Sequence, residues 1–250
     1  MLYGSIAEIY DRYRPSYGSA PFDLLRSELK TFDRVVDLGA GTGHVTRSLL
    51  TLFSSVTAVE PDSRMARRLP SCDGLTVIEA FAENVDFPNS SLDAVVSGTA
   101  LHWMDVHRVC ASVDRWLKSD GVFFFFGFPA KRGALHIAPE GARAFLKREH
   151  EKWKPYKQPS VSDWVPYIEL VEGAGIPALL RPWQCIVELT WSPRDLAGYF
   201  LSTSFASAYA DFNGGTHVYL AKLEENIIQA VGLEKIRVTF TVEGVIGRRN

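Results

Sequence analysis

The chain has 250 residues, a formal net charge of −2 at pH 7, a sequence pI near 6.3, and 46% hydrophobic residues. This composition predicts one large globular domain and excludes a disordered or low-complexity protein. No basic tail or run of like charge occurs, so no nucleic-acid partner is expected. The N-terminus lacks an apolar signal core, and the most apolar run, Gly121–Phe128, is too short to span a bilayer.

The cysteine content favours a reduced, cytoplasmic setting. Cys72, Cys110 and Cys185 lie far apart in sequence, and none is part of a CxxC pair. A structural disulfide framework and a zinc site are therefore not expected.

Strand and helix patterns alternate along the first half of the chain. Helix patterns follow Pro21, the glycines after Leu38, Asp62 (a predicted N-cap) and Asp105. Apolar, β-branched strand patterns cover 34–39, 55–61, 75–80, 92–98 and 122–128, with a turn predicted at 119–121. This order predicts a parallel sheet with helices on both faces.

The rhythm changes after Pro129. Helix patterns cover 139–152, 167–176 and two segments within 193–231, with Ser192 and Thr216 as expected caps. Strand patterns cover 186–191 and the alternating segment from Ile236. We predict one domain over 1–250, with an N-terminal cap at 1–20 and helical insertions at about 131–166 and 192–232 covering the acceptor side.

The segment VVDLGAGTGH places three alternating glycines between a strand and a helix. Gly39, Gly41 and Gly43 permit a tight turn and close approach of the backbone to a ligand. A dinucleotide-binding turn has the spacing GxGxxG, whereas His44 stands here where its third glycine would fall. A plain strand–helix turn is the alternative interpretation.

Two acidic residues narrow the expected ligand. Asp37 ends the strand before the glycines, where a carboxylate disfavours a diphosphate and suits an ammonium group. Glu60 ends the next strand, at the place where an acid holds ribose hydroxyls in doubly wound nucleotide folds. Ribose and ammonium without phosphate indicate S-adenosyl-L-methionine.

Three segments together resemble the class I S-adenosylmethionine-dependent methyltransferases: VVDLGAGTGHVTRSL, VTAVEPDSRMARRL and IEAFAENVDFPNSSLDAVVSGTALHWMD. More narrowly, the chain is similar to the type 11 methyltransferase domain family, including trans-aconitate methyltransferase-like proteins. The resemblance covers about residues 3–130, with shorter echoes in YDRYRPSY and TWSPRDL. It implies a doubly wound, Rossmann-like, mostly parallel seven-stranded sheet with helical lid insertions.

The resemblance also implies cofactor contacts, with S-adenosyl-L-homocysteine as the product. Residues Asp37, Gly39, Ala40, Gly41, Thr42 and Gly43 would wrap the methionine part, and Glu60 would hold the ribose. The adenine would lie against Pro61 and Met65 and meet Ala82 and Glu83, and the methionine side would be lined by Ser97, Gly98 and Thr99. Phe81 departs from the family, which often has Gly or Asp there. For Glu83, a surface acid is the alternative.

The acceptor side is expected near ALHWMD, just after the fourth strand. His102 is a candidate general base and Trp103 a candidate pocket wall. A structural role in starting the next helix is the alternative for both. A carboxylate acceptor would need no base.

The resemblance implies further contacts from the flanking segments. Tyr10 or Tyr13 would lie over the methyl group, and Arg14 would pair with the cofactor carboxylate or else stabilise a turn. Trp191 and Ser204 are candidates for lining the acceptor pocket, with a core position as the alternative for the tryptophan.

The sequence therefore predicts methyl transfer to a small-molecule O or N nucleophile, with a carboxylate or secondary metabolite favoured. Ser97–Ala100 stands where a nucleic-acid methyltransferase has an NPPY-like motif, and no acid pair has metal-ligand spacing. The alternatives are a nicotinamide-dependent oxidoreductase and a non-methyltransferase protein that retains the cofactor fold. No metal and no membrane partner are expected.

Overall fold

The computed structural model describes residues 6–129, 135–138, 140–156, 165–232 and 234–249. The chain divides into two compact units. The larger consists of Tyr17–Pro129, Trp164–Cys185 and Thr241–Asn250, and the smaller of Met1–Ser16, Ala130–Asp163 and Ile186–Phe240.

Five parallel strands form the centre of the larger unit: β1 (Arg34–Leu38), β2 (Ser55–Val59), β3 (Leu75–Ile78), β4 (Leu92–Gly98) and β5 (Leu117–Gly127). Their spatial order is β3-β2-β1-β4-β5. Two further strands, β7 (Ala178–Trp191) and β8 (Ile236–Arg249), pair with each other, and β8 pairs antiparallel with β5. The doubly wound, Rossmann-like fold predicted from the sequence is confirmed.

The helices of the larger unit are α2 (Ala20–Glu28), α3 (His44–Leu49), α4 (Ser63–Ala66), α5 (Val106–Trp116) and α7 (Tyr167–Ala174). These helices cover both faces of the sheet, as the contacts of β5 show. Alternate side chains of this strand point to opposite faces. Phe123 and Phe125 pack in one core cluster with residues of α5 and α7. Phe126, on the other face, meets Phe22 of α2 edge to face.

The smaller unit is mainly helical. It holds α1 (Ala7–Tyr13), α6 (Glu140–Trp153), α8 (Pro193–Leu201), α9 (Ser204–Phe212) and α10 (Thr216–Val231), and the strand β6 (Leu135–Ala138) that pairs antiparallel with β8. Ser192 and Asp195 form a reciprocal capping box at the start of α8, as the Ser-Pro start of this helix indicates. The ring of Tyr13 packs against Gly198. A Cβ on Gly198 would lie only 2.2 Å from the nearest ring carbon.

Of two local predictions, one is wrong. The turn expected at Ser119–Gly121 falls within the range of β5: the register with β4 shifts between Leu117 and Val122, and a Cβ on Gly121 would lie 3.0 Å from the Lys118 amide nitrogen and carbonyl oxygen. Thr216 does not cap α10: Gly215 holds the N-cap position, and the Thr216 hydroxyl donates to Asp211.

Within the described residues, no helix is long and apolar enough to cross a membrane. The same residues contain no group of three or more His, Cys, Asp or Glu side chains arranged to hold a metal ion.

Candidate active site

The three glycines form a tight turn from β1 into α3. Gly39, Gly41 and Gly43 all have φ between +59° and +92°, the left-handed region that side chains disfavour. A Cβ on Gly39 would lie 2.4 Å from the Cβ of Ala100, and one on Gly43 would lie 2.8 Å from a methyl of Leu69. The corresponding atom on Gly41 would meet only Met65, at 3.7 Å. The outer glycines therefore leave no room for a side chain, while the middle one has room for a methyl group at ordinary contact distance from Met65.

Glu60 ties this turn to the end of β2. Its Oε2 accepts a 2.9 Å hydrogen bond from the Gly41 amide, and its Oε1 accepts one of equal length from the Asp62 amide. The side chain is 8% exposed, and burial raises the pKa of its carboxyl group. Each carboxylate oxygen keeps further acceptor capacity, because an ionised carboxylate offers about four lone-pair sites.

Asp37 is fully buried at the end of β1. Its Oδ2 accepts a 2.6 Å hydrogen bond from the Thr46 hydroxyl, while its Oδ1 has no hydrogen-bond partner among the described residues. Burial, with a smaller contribution from the nearby Glu60 charge, raises the pKa of this carboxyl group to about 7. The Thr42 hydroxyl in the same turn is also buried without a partner in the described part of the chain.

The Asp37 Oδ1 and the Thr42 hydroxyl show whether the turn fits the expected cofactor. A buried acceptor and a buried hydroxyl without partners are rare in native proteins and call for a ligand or water. Asp37 offers a carboxylate oxygen, which matches an ammonium donor. The residues therefore fit a ligand that carries an amino group.

The predicted adenine-side residues lie around the ends of β2 and β3. Met65 is 4% exposed in α4, and Pro61 directly follows Glu60. Ala82 is buried in a single 3-10 turn, and Phe81 before it is 51% exposed. The Glu83 carboxylate accepts a hydrogen bond from the Asp105 amide, so this acid has a structural partner at the start of α5.

At the end of β4, Ser97 and Gly98 have structural roles, and Thr99 directly after the strand lies among polar side chains. The buried Ser97 hydroxyl donates to the Leu38 carbonyl and links β4 to β1. Gly98 has no room for a side chain, since a Cβ would lie 2.4 Å from Val45. Thr99 has φ of +57°, which is uncommon for a β-branched residue and locates backbone strain at this sheet edge.

A cluster of polar side chains surrounds Thr99. Its Oγ1 lies 2.6 Å from the hydroxyl of Tyr17, and the hydroxyl of Tyr167 lies 3.4 Å from Nδ1 of His102. A Cβ on Gly127 would lie 2.7 Å from the Thr99 Oγ1 and 2.9 Å from the Tyr167 hydroxyl oxygen, so both oxygens adjoin the same point. The ends of β4 and β5 thus carry two tyrosines, a threonine and a histidine.

Burial lowers the pKa of the His102 imidazole to about 4, so the ring is neutral at pH 7. Trp103 packs beside it with ring centroids 5.0 Å apart and remains 40% exposed. Both residues belong to the short 3-10 turn Leu101–Trp103 that follows β4. A neutral imidazole is the form that accepts a proton.

Sequence reasoning missed Tyr17 and Tyr167. Tyr17 is the last tyrosine of the YDRYRPSY segment, and Tyr167 begins α7. Aromatic content near the N-terminus was a signal for the first. For Tyr167, 65 residues from its histidine partner, the pattern of a sheet-packing helix gave no such signal.

Five of the predicted residues lie in the smaller unit. Arg14 donates from Nη2 to the Ser202 carbonyl at 3.1 Å, and its guanidinium lies 4.8 Å from the Tyr10 ring centroid. Tyr13 is 5% exposed against α8, and Trp191 packs on Tyr199 and Phe240. Ser204 begins α9, but its side chain lies outside the described ones. The structure therefore brings Tyr10, Tyr13 and Arg14 together around α8.

Parallel strands in the order β3-β2-β1-β4-β5, followed by an antiparallel β8, define a class I methyltransferase fold with the glycine turn at its first strand. The methyltransferase domain family matches residues 36–125, which span that turn and the strands through β5. The part of the chain that holds the glycine turn and Glu60 is therefore similar to a methyltransferase domain.

Similar proteins and one similar solved structure are also named as methyltransferases. A Dictyostelium discoideum protein named as a methyltransferase is 22% identical over 91% of this chain and 85% of its own length. An uncharacterized methyltransferase of Mycobacterium bovis is 37% identical over 48% of this chain, and the match spans about half (49%) of that relative. A solved structure described as a type II methyltransferase of Anaeromyxobacter dehalogenans superposes with a TM-score of 0.72 at 23% identity, over 94% of this chain and 98% of that chain. That likeness shows the fold.

Proposed function

We propose that this chain transfers a methyl group from S-adenosyl-L-methionine to an oxygen or nitrogen atom of a small-molecule acceptor. The proposal is carried by the buried Oδ1 of Asp37, which has no hydrogen-bond partner among the described residues, together with the Gly41–Glu60 hydrogen bond. One acid is thereby available for an amino group, and the other is fixed where ribose hydroxyls bind in such folds.

The turn residues hold the cofactor in this proposal. Asp37 accepts from the ammonium group, the backbone of Gly39 to Gly43 follows the methionine part, and Glu60 accepts from the ribose hydroxyls. Pro61 and Met65 form one side of the adenine site, and Ala82 and Glu83 its edge. Ser97 and Gly98 support the methionine side indirectly. The Ser97 hydroxyl already donates to the Leu38 carbonyl, and Gly98 packs closely against Val45.

The residues after β4 act on the acceptor. When bound, the cofactor supplies an electrophilic methyl group on a sulfonium and departs as neutral S-adenosyl-L-homocysteine. His102, neutral at pH 7, takes the proton that the acceptor loses as its oxygen or nitrogen bonds to the methyl carbon. Proton transfer to Nε2 requires the tautomer in which Nδ1 carries the hydrogen and donates it to the Tyr167 hydroxyl oxygen.

Positioning is the main contribution of the protein to such a reaction, because the methyl group is already activated. Trp103 supplies an aromatic wall for the acceptor. In the smaller unit, Tyr10, Tyr13, Arg14, Trp191 and Ser204 remain proposed contacts of the cofactor and acceptor. Three further statements are also proposals. They are a narrower similarity to trans-aconitate methyltransferases, a preference for carboxylate acceptors, and a cytoplasmic location.

The test is transfer of a labelled methyl group from S-adenosyl-L-methionine to a panel of small phenols, amines and carboxylic acids. We expect labelled product with at least one acceptor class and release of S-adenosyl-L-homocysteine. Cofactor binding without turnover on any acceptor would favour the non-methyltransferase alternative.

A further inference from the structure

Tyr17 packs tightly at the carboxyl end of the sheet, within the larger unit. Its ring stacks on Phe128, with centroids 4.8 Å apart and an interplanar angle of 11°, and meets Phe126 edge to face at 4.9 Å. Only 7% of the residue is exposed. Aromatic contacts on two sides of one ring fix the place of its hydroxyl group.

The Tyr17 hydroxyl lies at the end of β4. Its oxygen is 2.6 Å from the Oγ1 of Thr99, so one of the two hydroxyls donates a hydrogen bond to the other. A Cβ on Gly98 would lie 3.3 Å from the same tyrosine oxygen. This hydroxyl pair therefore ties the segment before α2 to the residue that follows β4.

Thr99 is a residue whose conformation needs such support. Its φ of +57° is in the left-handed region, which a β-branched residue rarely adopts. Its amide donates a 2.7 Å hydrogen bond to the Phe126 carbonyl, and its Oγ1 accepts one of 3.4 Å from the Phe128 amide. A Cβ on Gly127 would lie 2.9 Å from the Thr99 Cα, so β5 also encloses this residue closely. Backbone strain of this kind persists only where the surroundings hold it, and it is concentrated at functional sites.

The left-handed residue sets the path of the chain that follows. Ala100, directly after it, packs against the glycine turn, since a Cβ on Gly39 would lie 2.4 Å from the Cβ of Ala100. The 3-10 turn Leu101–Trp103, which carries His102, comes next. The conformation of Thr99 therefore determines how the proposed base lies relative to the turn that holds the proposed cofactor.

We propose that Tyr17 is a positioning residue of the methyl-transfer site. Its hydroxyl holds Thr99 in the left-handed conformation, and Thr99 in turn holds the turn that carries His102 against the glycine turn. The proposal rests on the proposed methyl transfer for its effect on the rate. That effect is expected because a displacement of about 1 Å can slow an oriented reaction by about 100-fold.

Three single variants test this role. Tyr17→Phe removes the hydroxyl and keeps both ring contacts. Thr99→Val removes the other hydroxyl of the pair and keeps the branched shape. Thr31→Val is the matched control, because the Thr31 hydroxyl donates to Asp93 at the opposite end of β4.

The first measurement needs no acceptor. In a chain labelled with ¹³C at histidine, the imidazole NMR signal of His102 is identified by its loss in His102→Gln. We expect this signal to shift by more than its linewidth in Tyr17→Phe and in Thr99→Val, and to stay in place in Thr31→Val. The signals of the other histidines should stay in place in all three variants, which also shows that they are folded. An unshifted His102 signal in Tyr17→Phe, or an equal shift in Thr31→Val, overturns the proposal.

The second measurement is the rate of methyl transfer to an acceptor from the panel. In Tyr17→Phe, kcat should fall about 10- to 100-fold, while KM for S-adenosyl-L-methionine changes by less than about threefold. Because Tyr17 acts through Thr99, the double variant with Thr99→Val should be no slower than the slower single variant, whereas independent losses would multiply. Thr99→Ser, which keeps a hydroxyl, should be faster than Thr99→Val. Losses that multiply, or a rise in KM without a fall in kcat, contradict the proposal.

The two measurements separate this proposal from the proposed function. If no acceptor is methylated but the His102 signal shifts in Tyr17→Phe and Thr99→Val alone, the positioning role of Tyr17 holds and methyl transfer fails. If methyl transfer occurs and Tyr17→Phe matches the wild type in signal and in rate, methyl transfer holds and the positioning role fails.

Discussion

The Gly41 amide donates a 2.9 Å hydrogen bond to Oε2 of Glu60, so the middle of the glycine turn is fixed to the end of the neighbouring strand. This contact joins the two sequence features from which the ligand was predicted. It also places the Glu60 carboxylate beside the one glycine of the turn that has room for a methyl group.

Replacing Glu60 by Ala should weaken binding of S-adenosyl-L-homocysteine by about 1–3 kcal/mol, the scale of hydrogen bonds to a charged group. Glu79→Ala is the matched control, since Glu79 also follows a strand, β3, but is exposed. Calorimetry on both variants is the measurement. Equal affinity in the two variants would remove the ribose assignment.

Alanine at Gly39 and at Gly41 should have different effects. Both positions have positive φ, which costs an alanine about 1–2 kcal/mol. Gly39→Ala adds a methyl carbon 2.4 Å from the Cβ of Ala100, whereas the Gly41→Ala methyl carbon has no neighbour closer than 3.7 Å. We expect a clearly larger loss of thermal stability for Gly39→Ala, and a loss of cofactor affinity without comparable unfolding for Gly41→Ala.

The comparison of melting temperatures and cofactor affinities for these two variants is decisive. Equal melting temperatures would show that the Gly39 overlap is relieved by small shifts. Unchanged cofactor affinity in Gly41→Ala would show that the open side of the turn does not face the ligand.

Asp37 gives the protein a predicted pH dependence. Its folded-state pKa of about 7 exceeds its ordinary value of 3.8, so between these pH values the folded chain binds a proton that the unfolded chain has lost. The free energy of unfolding therefore decreases through this group as pH rises from about 4 to 7. Cofactor binding should show the opposite trend and strengthen as pH rises through 7, because the ammonium pairs with the ionised carboxylate.

Denaturant unfolding and cofactor titration at pH 5, 6, 7 and 8 measure both trends. In Asp37→Asn, neither the free energy of unfolding nor the cofactor affinity should show this pH dependence. The cofactor affinity of the variant should be low at every pH. A cofactor affinity that is equally pH-dependent in wild type and variant would contradict the assignment.

His102→Gln should lower kcat by about 10²- to 10⁴-fold, the range of general acid–base catalysis, with little change in cofactor affinity. Because burial holds the pKa of His102 near 4, the wild-type rate should show no acid limb near pH 6.5 from this residue. Single-turnover rates from pH 5 to 8 are the measurement. A variant as fast as wild type would assign His102 a structural role.

Two helical glycines test the packing of the smaller and the larger unit separately. A methyl group at Gly198 would overlap the Tyr13 ring, with its carbon 2.2 Å from the nearest ring atom, so Gly198→Ala should destabilise by about 1–3 kcal/mol. Gly173 lies within α7 with nothing within 4 Å of the added carbon, so Gly173→Ala should stabilise by about 0.5–1 kcal/mol. Denaturant unfolding that shows the same sign for both would contradict this packing.

The first half of the fold was predictable because its signals are local. Asp37 and Glu60 stand where apolar strand patterns end, and in parallel strands such ends share one edge of the sheet. The same logic located His102 and Trp103 after β4.

The polar cluster was not predictable in this way. Tyr17 meets Thr99 across 82 positions of sequence, and Tyr167 meets His102 across 65. The positive φ of Thr99 is imposed by its surroundings and not by its own preference. The register shift between β4 and β5 was likewise hidden, because Ser-Asp-Gly predicts a turn and not its place within the range of a strand.

The most direct test of the account is titration of the whole wild-type chain with S-adenosyl-L-homocysteine and, separately, with NADH. We predict saturable binding of one S-adenosyl-L-homocysteine per chain, weakened by Asp37→Asn, and no binding of NADH. Binding of NADH with no binding of S-adenosyl-L-homocysteine would contradict it.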